Sequence, residues 1–162
     1  MTVILREAQL SDLEFLREML YEAVFWRPRP GKPSLEEGLA FPDVRKALQV
    51  WGERNGDMAV IAAVDSEPVG AAWARLRTDE DHIIGYVDER TPILGVAVHE
   101  DHRRHGIGRR LIEWMIERAA ETGIPRISLS VSKDNHALAL YRELRFEQAV
   151  DRGDAFTMVR HT

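Results

Sequence analysis

The chain of 162 residues contains no cysteine. Disulfide bonds, thiolate metal sites and a covalent thioester between enzyme and substrate are therefore all excluded. No apolar run approaches the roughly 18–20 residues that a membrane-spanning helix requires. The N-terminal residues 1–7 also lack the basic and then apolar layout of a signal peptide. From these absences we expect a cytoplasmic protein that does not bind a membrane.

An excess of positive charge is lacking as well. Lys and Arg number 22 against 27 Asp and Glu, which gives a net charge of -5. Nucleic-acid binding normally requires a basic face, so we expect no nucleic-acid partner. Hydrophobic residues make up 44% of the chain, and no repeat or low-complexity segment interrupts it. This length and composition predict a single domain with its own core across residues 1–162.

Hydrophobic periodicity predicts a succession of strands and helices. The predicted strands are residues 2–7, 58–64, 69–77, 83–87, 93–98, 127–131, 146–152 and 154–160, and the predicted helices are 12–24, 43–53, 108–121 and 135–144. Strands alternate with helices in the C-terminal half, whereas hairpins dominate elsewhere. We therefore predict an α+β fold of layered α/β type, with one mixed central sheet flanked by helices.

The most informative segment follows the predicted strand 93–98. It joins a basic loop to two glycines and a helix start, and reads Arg103, Arg104, His105, Gly106, Ile107, Gly108, Arg109. The first amides of a helix have no intrahelical acceptor and lie at the positive end of its dipole. Glycine lets a phosphate approach the backbone closely. The segment therefore predicts an anion site.

Two common phosphate-binding motifs do not fit this segment. The Rossmann fingerprint requires a third glycine where Leu111 stands. The P-loop requires Lys and then Ser or Thr after its last glycine, but Gly108 is followed by arginines. A metal site is not expected either, because the spacing of His99, His102 and His105 crosses a loop without supporting carboxylates.

The pattern Arg103-x-x-Gly106-x-Gly108 resembles the pyrophosphate-binding signature of the GNAT (GCN5-related) N-acetyltransferases. The strand before it is similar to the splayed strand of that family, whose backbone pairs with the pantetheine arm of the cofactor. Residues 135–146 resemble the second signature of the family. The resemblance covers residues 93–146, about a third of the chain, and implies a GNAT-like acyl-CoA N-acyltransferase fold with acetyl-CoA as cosubstrate and no metal.

The resemblance also implies a set of site residues. Those expected to bind the cofactor are Val96, Ala97, Val98, Arg103, Arg104, His105, Gly106, Ile107, Gly108, Arg109, Asn135 and Tyr141. Tyr141 matches the general acid of the family, which protonates the sulfur of CoA. A backbone N–H near Val98 is expected to meet the oxyanion.

Three positions depart from the family pattern. Arg145 stands where a glycine usually precedes the phenylalanine. The usual position of the family's asparagine is held by Asp134, and Asn135 lies one residue closer to the tyrosine. The glutamate that some members carry at the start of the central strand is absent. Glu89 is therefore a candidate general base, alongside another carboxylate or a chain of water molecules.

The acceptor is predicted to be a primary amine on a small molecule or peptide. In the family, the connection between the first two helices often lines the acceptor site, so Trp26 and Arg29 in the proline-rich loop are candidate acceptor contacts. The opposite hypothesis assigns attraction of a cationic acceptor to the acidic loop at residues 79–81. The sequence leaves both open.

Two classes of function agree with the sequence. The first is an acetyl-CoA-dependent N-acetyltransferase in which the amine attacks the thioester directly. The second is a GNAT-like module that binds acyl-CoA as a sensor or scaffold, which the missing strand glutamate and Arg145 favour. Transfer of a larger acyl group is a third reading, and a homodimer is compatible with the habit of the family.

Overall fold

The computed structural model describes residues 2–162 and contains a seven-stranded sheet in the order β1-β2-β3-β4-β5-β7-β6. The strands are β1 (Val3–Glu7), β2 (Met58–Val64), β3 (Glu67–Arg75), β4 (Ile93–Val98), β5 (Arg126–Ser132), β6 (Glu147–Asp151) and β7 (Ala155–His161). The helices are α1 (Leu13–Val24), α2 (Leu35–Ala40), α3 (Pro42–Leu48), α4 (Ile107–Glu121) and α5 (Ala137–Glu143). The predicted mixed sheet flanked by helices is confirmed. Over residues 2–162, no helix combines the length and the apolar character that crossing a bilayer requires.

The two faces of the sheet carry separate cores because side chains alternate along a strand. On one face, Ala72 and Ala74 of β3 pack with the apolar stripe of α4. On the other, Ala71 and Trp73 pack with α1 and α3. We call these the α4 face and the α1 face. Side chains of the central strands therefore pack against different helices on the two faces of the sheet.

The sheet opens between its two central parallel strands. Every other pairing is antiparallel, and β4 pairs with β5 at one position, Ile93 opposite Ser128. Beyond that bridge the strands separate toward their C-terminal ends, Val98 and Ser132. We call this opening the gap. It leaves backbone polar groups of two central strands without strand partners.

One predicted strand is wrong and one predicted helix is shorter than expected. Residues 83–87 form no strand, because Gly85 adopts a φ of 92° and packs its backbone against Ser130 at the closed end of the gap. The Ser128 hydroxyl donates to the Gly85 carbonyl at 2.7 Å and holds the segment there. The helix predicted at 43–53 is present as α3 but ends at Leu48, and α2, which precedes it and meets it at the extended residue Phe41, was not predicted.

Candidate active site

The backbone of β4 presents polar groups to the gap. The amide of His99 donates to the Val69 carbonyl at 2.7 Å, on the β3 side. Because hydrogen bonding alternates along an antiparallel ladder, the N–H and C=O groups of Val96 and Val98 are directed to the opposite side. That side is the gap, where β5 has already diverged. An extended chain can therefore bind to the N–H and C=O of Val96 and to the N–H of Val98, whose carbonyl is occupied by Arg103.

The loop before α4 turns its amides outward. Arg104 and Gly106 adopt left-handed backbone angles, with φ of 65° and 77°. Within residues 2–162, the amides of residues 104–109 have no acceptor, and the first bond of the helix runs from Arg110 to the Gly106 carbonyl at 3.2 Å. Consecutive free amides at a helix start form a concave anion site.

The side chains of this loop have different surroundings. Arg103 donates from Nε to the Val98 carbonyl at 2.9 Å and pairs with Glu22 of α1 at 3.4 Å, so it holds the loop to the end of β4. Arg109 pairs with Glu143. The side chain of Ile107 is buried in the core of the α4 face, and only its amide is available to a ligand. Arg104 and His105 are exposed.

Tyr141 lies on the α4 face, among the core residues that pack against α4 and β5. Its ring contacts Phe146 edge to face at a centroid distance of 5.7 Å. Its hydroxyl has no hydrogen-bond partner within the described chain. Burial raises the pKa of Tyr141 to about 12, so the phenol keeps its proton at neutral pH. A proton donor is therefore present in the core of the α4 face, on the helix that follows β5.

Local structure explains the two departures from the family pattern near α5. Arg145 adopts the left-handed conformation itself, with a φ of 69°, and the Phe146 amide donates to the Tyr141 carbonyl at 2.9 Å. The usual helix-ending turn is thus kept without glycine. Asn135 accepts from the Ala137 amide at 2.8 Å and lines the cavity described next, whereas Asp134 is bound to Arg27 at 2.6 Å.

A cavity of about 240 Å³ opens on the α1 face beside the gap. Its walls come from α1, α3, β3, β4, β5 and the loops near them. The lining residues are Leu20, Ala23, Val24, Trp26, Ala47, Trp73, Arg75, Arg77, Ile83, Ile84, Ile93, Leu94, Gly95, Ser130, Val131, Ser132 and Asn135. Two buried arginines and two serines are the polar side chains besides the asparagine, and none of the lining residues is a carboxylate.

The structure brings some of the predicted acceptor and catalytic residues to this cavity and not others. Trp26 lines it and meets His136 at a ring distance of 6.4 Å. Arg29 is exposed on its loop and does not line it. Glu89 is also exposed, accepts from the Asp79 amide at 3.4 Å and does not line the cavity.

Arg75 and Arg77 were not among the predicted site residues. The sequence indicates their position only through spacing: Trp73, Arg75 and Arg77 are two residues apart, so their side chains lie on one face of a strand and its continuation. Arginines at such positions usually face solvent, and only the tertiary structure reveals that these two are buried.

The sequence profile of the Acetyltransferase (GNAT) family matches residues 18–146. The chain is 37% identical over 67 residues to the [ribosomal protein bS18]-alanine N-acetyltransferase of Escherichia coli strain K12, a match that covers 41% of this chain and 45% of that protein. It is 26% identical over 140 residues to an L-2,4-diaminobutyric acid acetyltransferase of Nocardia farcinica, covering 84% and 60% of the two chains. The chain thus spans less than two thirds of these relatives.

A solved structure agrees over the whole described chain. The PaiA N-acetyltransferase of Thermoplasma acidophilum, solved in complex with coenzyme A, superimposes with a TM-score of 0.68. The superposition covers 100% of both chains at 19% sequence identity. At this identity the likeness concerns the fold, including the mixed sheet and its flanking helices.

Proposed function

Because the chain belongs to the GNAT family of acetyltransferases, we propose that it transfers the acetyl group of acetyl-CoA to a primary amine by direct attack, as a single domain. The observation that carries this proposal is the gap between β4 and β5 with a free-amide loop after β4, together with a protonated tyrosine on α5, the helix that follows β5. Acetyl-CoA, when bound, supplies the activated thioester. The remaining chemistry belongs to residues of this chain.

The residues around the loop fit a pyrophosphate group. The unpaired amides of residues 104–109 and the start of α4 supply hydrogen bonds and positive potential. Gly106 provides the left-handed turn that directs these amides outward. The exposed Arg104 adds positive charge beside them. We assign binding of the phosphates to this loop.

The strand edges fit an extended amide-containing arm. Val96 directs its N–H and C=O groups and Val98 its N–H group into the gap, and Asn135 lines the neighbouring cavity just before α5. A chain with amides can pair with β4 as an additional strand would. An N–H at Val96 or Val98 can also donate to a carbonyl oxygen as negative charge develops on it.

The two proton transfers are assigned to different groups. We assign Tyr141 to donate a hydrogen bond and then its proton to the departing thiolate: its pKa of about 12 keeps the phenol protonated, but the transfer runs against the lower pKa of the thiolate, near 8.5, and the tyrosinate must regain a proton from solvent. An alkylamine acceptor, with a pKa of about 10.4, must lose a proton before or during attack. Because no carboxylate lines the cavity, we assign this proton to water held by the hydroxyls of Ser130 and Ser132.

The first experiment is a thermal shift with acetyl-CoA, CoA and NAD, followed by a thiol-release assay on a panel of amines. A ligand at about 100 times its Kd stabilises the native state by about 2.7 kcal/mol. We expect both CoA species to raise the midpoint, NAD to leave it unchanged, and at least one amine to release CoA. Absence of any shift with CoA species contradicts cofactor binding. A shift without thiol release from any amine contradicts transfer and favours an acyl-CoA-binding module.

A further inference from the structure

The wall of the cavity on the α1 face contains an incompletely paired cation. The side chain of Arg77 is 1% exposed. Its Nη1 donates to the Lys46 carbonyl at 2.8 Å, but its two contacts with Asp81 are both 3.4 Å long. A guanidinium has five N–H groups. Within residues 2–162, these three contacts leave two of them without an acceptor.

The carboxylate nearest to Arg77 is shared with two further cations. Asp81 lies 3.2 Å from Lys46 and 3.9 Å from Arg54, and its side chain is 47% exposed. An exposed carboxylate shared in this way offsets little of the cost of burying a guanidinium. Burial lowers the pKa of Arg77, although Asp81 opposes this effect.

The neighbouring arginine also makes three side-chain hydrogen bonds, but two of them go to both oxygens of a buried carboxylate that it does not share. Arg75 donates from Nε and Nη2 to both oxygens of Asp57 at 2.8 Å, and from Nη1 to the Gln49 carbonyl at 2.5 Å. The pair Arg75–Asp57 is therefore a neutral structural unit. The unbalanced positive charge at the cavity wall belongs to Arg77.

The acidic loop does not reverse this charge. Asp81 is engaged by the three cations, and Asp79 accepts a hydrogen bond from the Tyr86 hydroxyl. The cavity lining itself contains no acidic side chain. A cationic acceptor would therefore enter a cavity that has two arginines and no carboxylate in its wall, which costs free energy.

We propose that the acceptor is a small aminocarboxylate and that Arg77 binds its carboxylate. This inference rests on the proposed acetyl transfer and narrows its substrate class. A planar guanidinium with two free N–H groups matches the two oxygens of a carboxylate. The cavity volume of about 240 Å³ is below the roughly 300–1,000 Å³ of pockets that hold drug-sized ligands, so the ligand is of amino-acid size.

The route of the two substrates agrees with this placement. Arg77 and the cavity lie on the α1 face, whereas α4 packs on the other face and the loop before it follows the C-terminal end of β4. The amine of the acceptor then points along the cavity from Arg77 toward Gly95 and the gap. Carboxylate binding at the far wall thus holds the amine near the thioester.

The test compares aminocarboxylates of increasing chain length with their carboxamides, using kcat/KM in the thiol-release assay. In the native protein, we expect the best carboxylate to exceed its carboxamide by about 10- to 100-fold, the equivalent of one charge-assisted hydrogen-bonded pair. In Arg77→Gln this preference is expected to disappear, because the carboxylate loses its charged partner. Arg77→Lys retains the charge and should keep part of the preference.

Arg54→Gln is the matched control, because it removes a cation from the same cluster without touching the cavity lining. It should preserve the preference. Equal kcat/KM for carboxylates and carboxamides in the native protein, or an unchanged preference in a folded Arg77→Gln, overturns the inference while leaving acetyl transfer intact.

A binding experiment distinguishes failure of this inference from failure of the proposed acetyl transfer. If no amine releases CoA, the CoA-loaded protein is titrated with the same aminocarboxylates and carboxamides in a thermal shift. Stabilisation by carboxylates that is lost in Arg77→Gln supports the carboxylate site without transfer. No stabilisation by any of them overturns it.

Discussion

The ring of Trp73 lies across Gly95, so close that a Cβ atom at Gly95 would be 2.4 Å from it. The two residues are opposite each other in the β3–β4 ladder. Glycine is required here because the indole occupies the space where a side chain on β4 would stand. The indole in turn forms part of the cavity wall on the α1 face.

Replacement of Gly95 by alanine should therefore displace Trp73. We expect Gly95→Ala to destabilise the fold by about 1–3 kcal/mol through overpacking, and to weaken acceptor binding. Urea denaturation measures the first effect and acceptor KM the second. Gly108→Ala is the control for stability, because a Cβ there meets no atom closer than 3.9 Å and alanine favours the helix. Equal stability losses in the two variants would contradict the steric explanation.

Tyr141→Phe should reduce kcat by about 100-fold or more, because a general acid contributes roughly 10²–10⁴-fold. Thermal stability and acetyl-CoA affinity should change little, since the hydroxyl has no partner among residues 2–162. Tyr86→Phe also removes a tyrosine hydroxyl, but from a residue that does not line the cavity, and it should retain activity. An unchanged kcat in Tyr141→Phe would exclude the tyrosine as the acid.

The pH profile offers a second readout of the same residue. The raised pKa of Tyr141, about 12, keeps the acid protonated over the working range. The rate of the native protein should thus rise with pH as the acceptor amine loses its proton, without a descending limb from Tyr141 below that value. The contrary result is a descending limb that begins near pH 8–9 in the native protein and is absent from Tyr141→Phe. It would show that the pKa of the tyrosine is roughly a unit or more below that of a free phenol.

Trp26→Ala should raise the acceptor KM by about tenfold, since removing a partly buried aromatic from a binding wall costs on the order of 1.5 kcal/mol. The KM for acetyl-CoA should remain unchanged. Arg29→Gln is the comparison on the same loop, and its exposed side chain predicts an unchanged acceptor KM. A larger effect of Arg29→Gln than of Trp26→Ala would show that the loop closes on the acceptor in another conformation.

Asp57→Asn should destabilise the fold by about 3 kcal/mol or more, because it leaves the buried guanidinium of Arg75 unpaired. Glu7→Gln removes a carboxylate from a pair that is far more exposed, with Arg118 at 3.2 Å, and should cost at most about 1 kcal/mol. Chemical denaturation of both variants measures the difference. Similar losses would indicate that water reaches the Arg75–Asp57 pair.

Arg145→Gly should stabilise the protein by roughly 0.5–1 kcal/mol, because an arginine at a φ of 69° bears a steric cost that glycine does not. Arg142→Gly places glycine inside α5 and should cost roughly 1 kcal/mol instead. Thermal denaturation distinguishes the two. A loss of stability in Arg145→Gly would mean that the arginine side chain contributes more than its backbone costs.

The elements with uninterrupted periodicity were predictable from the sequence. β2 and β4 have the predicted bounds, and α4 begins one residue before its predicted start. The strand prediction for residues 83–87 failed because apolar side chains indicate burial but do not by themselves indicate strand pairing. Ile83 packs with the α1-face core, while Gly85 takes an angle that no strand uses.

The candidate site was predictable to a different degree on its two sides. The phosphate loop is local, since its glycines, arginines and helix start lie within a few residues of each other. The cavity is assembled from α1, α3, β3, β4 and β5, so no short motif encodes it. The charge balance of Arg77 depends on Asp81, Lys46 and Arg54, and their distances follow only from the tertiary structure.

The single bridge between Ile93 and Ser128 makes the sheet a partition with one slot. In the proposed function, acetyl-CoA binds at the loop after β4 and the acceptor in the cavity on the α1 face, so neither has to leave before the other can enter. We therefore expect kinetics through a ternary complex, with CoA competing against acetyl-CoA and not against the amine. Substitutions on the acceptor side can then change which amine is used without altering the nucleotide side, so one scaffold can serve many acceptors.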